Sequence, residues 1–279
     1  MREILMIKDI LVNLSMGDKH PATGYAASLA GLTEAHLAGI AFRFDPAMQT
    51  SAFGLFPPTL VEMAIQENEQ AVERATGDFQ RAAELAGVTF ETVTVPATLV
   101  GAGDAFGQTA RRFDLVIVGQ PRPDIDAAEE LLIEAALFDS GRPVLVVPYI
   151  HKGSTKLDRM ALCWDGSRPA ARAIADALPL MRRAKSIDLV LIKNETHRGE
   201  IEGADIAQHL ARHDLPITLA EVPQGDVDIG NTILNYVADH AIDLMVMGGY
   251  GHSRLREQVF GGTTRTVLAS MTAPTLLSH

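Results

Sequence analysis

The sequence predicts an α/β protein of two tandem domains, 1–150 and 155–279, each a doubly wound sheet of five parallel strands. Three observations carry that reading. Short apolar runs alternate with longer Ala- and Leu-rich segments along all 279 residues, the pattern of β and α units around a parallel sheet. Asp114-Leu-Val-Ile-Val-Gly119 returns as Asp243-Leu-Met-Val-Met-Gly248, an offset of 129. Arg142-Pro-Val-Leu-Val-Val147 returns as Ala273-Pro-Thr-Leu-Leu277 at nearly the same offset.

In chain order, Ile7–Leu14 reads as a strand and Thr23–Leu37, rich in Ala and Leu, as a helix. Ala38–Phe42 is the next strand. Residues 43–61, with Phe44, Phe53, Phe56 and Pro57-Pro58, show no period and read as an irregular excursion. Leu60–Ala86 is a long amphipathic helix, with Glu62, Glu67, Glu69 and Glu73 opposite Met63, Ala71, Phe79 and Ala82-Ala83. Val88–Val93, Asp114–Gly119 and Arg142–Pro148 are strands, separated by helices over 102–111 and Ala127–Leu137. The second half repeats the scheme. Strands are expected at Asp158–Trp164, Ser186–Ile192, Ile217–Ala220, Asp243–Met247 and Ala273–Leu277. Helices are expected at Ala170–Leu180, 203–213, Ile229–Ala241 and after Thr263, with Ser167 as a cap and Pro169 near the first turn of the first of these.

Lys and Arg total 24 against 35 Asp and Glu, a net charge of −11, which argues against non-specific nucleic-acid binding. The single cysteine, Cys163, excludes an intrachain disulfide or a cysteine metal cluster, and its apolar setting in Met160–Trp164 reads as a small buried hydrophobe. No apolar run approaches the length of a membrane span, and the N-terminus lacks the long apolar core of a signal peptide. The expectation is a soluble cytoplasmic protein.

The stretch 242–267 carries most of the functional signal. A buried strand ends in Gly248, Gly249 and Gly251; Gly261 and Gly262 follow, then Thr263 and Thr264 at a helix start. A strand feeding a glycine loop and then a helix N-terminus can hold a phosphate, since backbone N–H groups approach it closely and the helix end adds partial positive charge. The spacing is neither the dinucleotide fingerprint nor a Walker loop. On the residues alone, these glycines serve either a phosphate site or the tight turns of an ordinary crossover.

The segment resembles the nucleotide-binding universal stress proteins, which carry G-x2-G-x9-G followed by Ser or Thr. Here Gly248, Gly251 and Gly261 match, Gly262 stands where Ser or Thr is usual, and Thr263 comes one position late. The text Gly248–Glu257 with Phe260-Gly-Gly262 is also similar to that family. The resemblance is strong over 158–279 and weaker over 1–150. It implies two tandem Rossmann-like domains of the adenine nucleotide alpha hydrolase-like kind, strand order 3-2-1-4-5, pairing of the final strands of the two halves, and an UspA-like role in stress response. It also implies ATP or AMP, with or without Mg2+, as ligand.

Asp165 ends the first strand of the second half, where open α/β sheets bind ligands. It either accepts a hydrogen bond from an adenine amino group or ribose hydroxyl, as the resemblance implies, or forms an Asx turn at a helix start. Ser253 and Arg254 are candidate phosphate contacts, and His252 is a loop histidine without a legible acid partner. Thr263 and Thr264 either cap the helix or donate hydroxyls to phosphate. Tyr250 either shields a ligand or packs over the loop. Trp164 reads as packing, Lys193 as a solvated lysine, and His209 with His213 as a surface pair rather than a metal site. The first half is degenerate. Ser15 or Asn13 stands where the Asp belongs, Gln120-Pro-Arg-Pro-Asp124 replaces the glycine turn, and the later glycine pair does not recur. That half is expected to stay empty and to serve an interface or partner.

Two function classes follow. One is a stress-response protein that binds an adenine nucleotide in its C-terminal domain and acts through conformation, a homodimer or a regulatory protein partner. The other is a nucleotide-independent scaffold of the same fold. No positioned base or metal ligand is legible, so catalysis is not expected beyond weak ATPase activity.

Overall fold

A computed structural model describes residues 6–15, 21–44, 58–122, 127–193, 203–250 and 262–279. The excursion after Phe44 falls largely outside these residues. The chain divides into two compact units, one of Ile7–Arg142 with Lys152–Thr155, the other built mainly from Pro143–His151 and Lys156–His279.

In the first unit, β1 (Asp9–Asn13), β2 (His36–Phe44), β3 (Phe90–Ala97) and β4 (Leu115–Gly119) run parallel in the order β3-β2-β1-β4. The central strands are buried along their length, β4 at every residue, which is why they read as unbroken apolar runs. Helices α1 (Pro21–Thr33), α2 (Pro58–Ala86), α3 (Leu99–Ala110) and α4 (Ala127–Asp139) cover the sheet. On α2, buried Val72, Phe79 and Ala83 form one stripe, and the Phe79 ring meets Phe90 edge-on at 5.8 Å. Thr98 caps α3, its side chain accepting from the Gly101 N–H at 3.0 Å.

The expected helix Thr23–Leu37 ends earlier. Glu34 takes a left-handed conformation (φ 56°), the Ala35 N–H returns to the Ala30 carbonyl, and the His36 N–H already pairs with the Lys8 carbonyl at 2.7 Å. Leu37, expected at the helix end, lies in β2 because strand pairing overrides the continuing apolar pattern.

In the second unit, β6 (Arg159–Cys163), β7 (Ser186–Lys193), β8 (Ile217–Pro223), β9 (Leu244–Gly248) and β10 (Thr275–Ser278) run parallel in the order 3-2-1-4-5, written β8-β7-β6-β9-β10. β5 (Val144–Val147) lies antiparallel to β10, with Thr275 opposite Val146 and Leu277 opposite Val144, so the final strands of the two sequence halves pair. Helices α5 (Arg168–Met181), α6 (Gly203–Ala211), α7 (Ile229–Asp239) and α8 (Gly262–Ser270) complete it. β8 outruns its expected end at Ala220, continuing in register to Pro223 opposite Lys193. α7 stops short of Ala241, which turns left-handed at φ 48°.

The repeated aspartates do the same work in each unit. Asp114 Oδ2 accepts from the Lys8 and Asp9 N–H groups at 2.8 and 3.1 Å, and Asp243 Oδ2 accepts from the Arg159 N–H at 2.9 Å. Each carboxylate closes backbone donors at the head of the neighbouring strand.

Candidate functional site

β6 and β9 are neighbours, with Leu162 opposite Val246, so the loops that leave their C-terminal ends rise side by side. After β6 the chain turns at once into α5. The Asp165 carboxylate is exposed and accepts from the Ser167 N–H at 2.9 Å, Gly166 takes φ +75°, and the Ser167 hydroxyl accepts from the Ala170 N–H at 3.2 Å. This is an Asx turn feeding a helix cap, made by one oxygen of the Asp165 carboxylate.

Gly248 ends β9 against the start of that helix. A Cβ built there meets Ala170 N at 2.6 Å and Pro169 C at 2.8 Å. Only glycine lets the strand end approach the α5 N-terminus this closely. The strand end, the helix start and Asp165 therefore share one corner of the sheet.

The next two residues are tied down. The Gly249 N–H donates to the Ser278 carbonyl at 2.8 Å, and His279 Nδ1 lies 3.0 Å from the Gly249 carbonyl. The Tyr250 N–H donates to Thr264 Oγ1 at 3.3 Å. These N–H groups, expected to wrap a phosphate, are thus engaged within the protein. Tyr250 is buried at 6% exposure with φ +57°. Thr264 is buried against it, Thr263 is half-buried, and Gly262 is exposed with open space around any added Cβ. The structure thus brings Asp165 and Gly248 to one corner and links Tyr250 to Thr264 on α8. Gly251, His252, Ser253, Arg254 and Gly261 lie outside the described residues.

Lys193 Nζ pairs with Glu221 at 2.9 Å on the surface, and the half-buried Trp164 continues strand pairing through its N–H to the Val190 carbonyl. The half-buried Cys163 has its thiol pushed up to about 12 by desolvation and, less, by the Asp165 charge, which favours the protonated form. His209 and His213 pack ring against ring at 5.1 Å. Among the described residues, no group of three or more His, Cys, Asp or Glu is placed to hold a metal ion.

Two features had no legible signal. One is the His279 contact to Gly249. The other is a half-buried network at the opposite end of the sheet, centred on buried Asp188: its Oδ2 accepts from Tyr236 at 3.1 Å and from Arg159 Nη2 at 3.2 Å. An acid inside the apolar run Ser186–Lys193 was its only trace in sequence. Burial, then the Asp188 charge, pushes the Tyr236 hydroxyl up to about 12.

The corresponding corner of the first unit is built differently. Asn13, Gln120 and Glu129 are buried there, and the Ser15 hydroxyl donates to Glu129 Oε1 at 2.8 Å. Glu129 lies in the first turn of α4, so this helix end already has a carboxylate of its own.

Residues 156–279 match the model of the Universal stress protein family. A curated relative, Universal stress protein Slr1230 of Synechocystis sp. (strain ATCC 27184 / PCC 6803 / Kazusa), is 50% identical over 44 residues. That match covers 16% of this chain and only 15% of the relative's length. Among solved structures, a universal stress protein from Archaeoglobus fulgidus DSM 4304 aligns at TM-score 0.74 and 13% identity, covering 98% of this chain and 96% of that one. A functionally unknown protein, PA1789, from Pseudomonas aeruginosa PAO1 aligns at TM-score 0.62 and 13% identity, covering 98% and 92%. At such identities the structural likenesses show the fold alone. No helix among the described residues is long and apolar enough to cross a membrane. Through residues 156–279, this chain is similar to the universal stress protein family.

Proposed function

We propose that this chain is a stress-response protein that binds ATP or a related adenine nucleotide in its second half and acts through conformation or partners rather than through turnover. The observation that supports this most is the corner where Gly248 meets the start of α5 beside Asp165, with α8 beginning nearby at Gly262. In this reading Asp165, already oriented by its turn, accepts a hydrogen bond from the adenine amino group or a ribose hydroxyl. The phosphates lie toward Gly251, Ser253, Gly261 and the α8 start at Gly262–Thr263, with Arg254 as counter-charge and His252 beside them. Gly249 and Tyr250 frame this path rather than donate to it, because their N–H groups serve Ser278 and Thr264. A nucleotide brings its Mg2+, if any, through its own phosphates.

The first half takes no nucleotide in this reading, since Glu129 holds the helix end where phosphate would go. Residues 1–150 then form a degenerate domain for an interface, 155–279 the binding domain, and the chain assembles as a homodimer with a regulatory protein as further partner. Titration calorimetry with ATP tests the reading on the intact protein and on Gly251→Val, whose side chain would obstruct the phosphate path. Binding by the wild type and its loss in the variant are expected. No heat at millimolar ATP, or equal binding by the variant, overturns the reading and leaves the nucleotide-independent scaffold.

A further inference from the structure

The peptide between Gly249 and Tyr250 is gripped from both sides. Its carbonyl lies 3.0 Å from His279 Nδ1, and its N–H donates to Thr264 Oγ1 at 3.3 Å. A carbonyl can only accept, so His279 carries its proton on Nδ1 in this contact. One residue earlier, the Gly249 N–H is held by the Ser278 carbonyl at 2.8 Å. Ser278 is itself anchored, its hydroxyl donating to Asp176 Oδ2 at 2.9 Å, and Asp176 pairs with Arg172 at 2.9 Å.

This grip has something to hold. Tyr250 is a bulky residue at φ +57°, a region that L-residues other than Gly, Asn and Asp enter rarely and at a cost. Such a conformation persists only where its surroundings enforce it. Two of the three contacts are made by groups built into the sheet and a helix: the Ser278 carbonyl at the end of β10, and the buried Thr264 on α8. The third, from His279, fixes the carbonyl and with it the direction of the peptide plane.

We infer that His279 is a positioning residue for the end of β9: it sets the plane of the 249–250 peptide, which borders the proposed nucleotide site. Its effect on affinity rests on the nucleotide reading above; its effect on the peptide does not. His279 is exposed, so its loss does not open a core cavity.

The test uses the full chain with His279→Leu and His279→Asn. Leucine cannot donate, whereas the asparagine amide can reach the same carbonyl. ATP affinity is read by calorimetry, and amide hydrogen exchange at Tyr250 is read by NMR without ligand. His279→Leu is expected to weaken ATP about two- to ten-fold and to speed Tyr250 exchange by a similar factor, the scale of one ordinary hydrogen bond. His279→Asn is expected to restore both, and a cooperative urea transition in all three proteins shows that each one folds. Unchanged Tyr250 exchange in His279→Leu overturns the inference, as does a leucine variant that binds ATP like a binding wild type. A wild type that takes no ATP overturns the nucleotide reading instead, and Tyr250 exchange in the two variants then decides the positioning role by itself.

Discussion

Gly262→Ser restores, at one atom, the hydroxyl that the family motif carries after Gly261. The site can take it. A Cβ at Gly262 meets nothing within 4 Å, and the residue opens α8 without a left-handed backbone. Serine and glycine differ by only a few tenths of a kcal/mol at a helix start, so the fold should be indifferent to the change. A hydroxyl aimed at phosphate is a hydrogen bond to a charged group, about 1.5–3 kcal/mol. That converts to roughly ten- to one-hundred-and-fifty-fold tighter binding. Calorimetric titration of ATP into both proteins at one salt concentration gives the ratio, and urea unfolding gives the control. A serine variant with the wild-type urea midpoint and no gain in affinity would refute the reasoning, because a phosphate at the α8 start could not then be within reach of residue 262.

Three further outcomes follow from the same geometry. Gly248→Ala sets a methyl 2.6–2.9 Å from Ala170 N and Pro169, mostly fixed backbone, and should cost at least the ~1–3 kcal/mol of ordinary overpacking, read as a lower urea midpoint at unchanged slope; an unchanged midpoint would show that α5 does not press on the strand end. Tyr236 has a folded pKa raised from 10.0 to about 12, so the stability it contributes is complete below pH 10 and lost as pH climbs to about 12. Tyr236→Phe should flatten that loss in unfolding curves taken from pH 9 to 12, and equal slopes for both proteins would count against the Asp188 contact. Cys163, with its thiol held near 12, should react with iodoacetamide at pH 8 far more slowly in the native protein than in urea, and comparable rates would place the thiol in a different environment.

The strands were legible because burial on both faces leaves unbroken apolar runs, and Leu115–Gly119 and Leu244–Gly248 are examples. Helix ends were legible where a side chain makes the cap, as Ser167 does for α5. They were not where long-range pairing decides: Leu37 continues a helical pattern, yet the Lys8 carbonyl draws His36 into β2. The candidate site divides in the same way. Asp165 and Ser167 lie two residues apart and their turn is a local matter, whereas the partners of Gly249 and Tyr250 come from positions 278, 279 and 264. Nothing in a linear reading links a loop peptide to a histidine thirty residues on.

The two halves share one end of their sheets and differ at the other. At the strand N-termini, Asp114 and Asp243 do the same backbone work, each accepting from N–H groups at the head of the neighbouring strand. The C-terminal ends differ, for a helix N-terminus there needs an anion but not a particular one. In the first half, α4 draws its anion from within, with Glu129 in its first turn and Ser15 donating to it. In the second half, α8 opens on Gly262-Thr-Thr-Arg265 with no acid in its first turn, and its Thr264 hydroxyl is turned to the Tyr250 backbone. A helix end with its own carboxylate repels a phosphate; one without it attracts a phosphate. Glu129 thus adds to the differences at Ser15 and Gln120–Asp124 that set the first corner apart from the second. The asymmetry of the chain therefore lies in the strand ends and in the charge at the starts of α4 and α8, while the strands that carry them are alike.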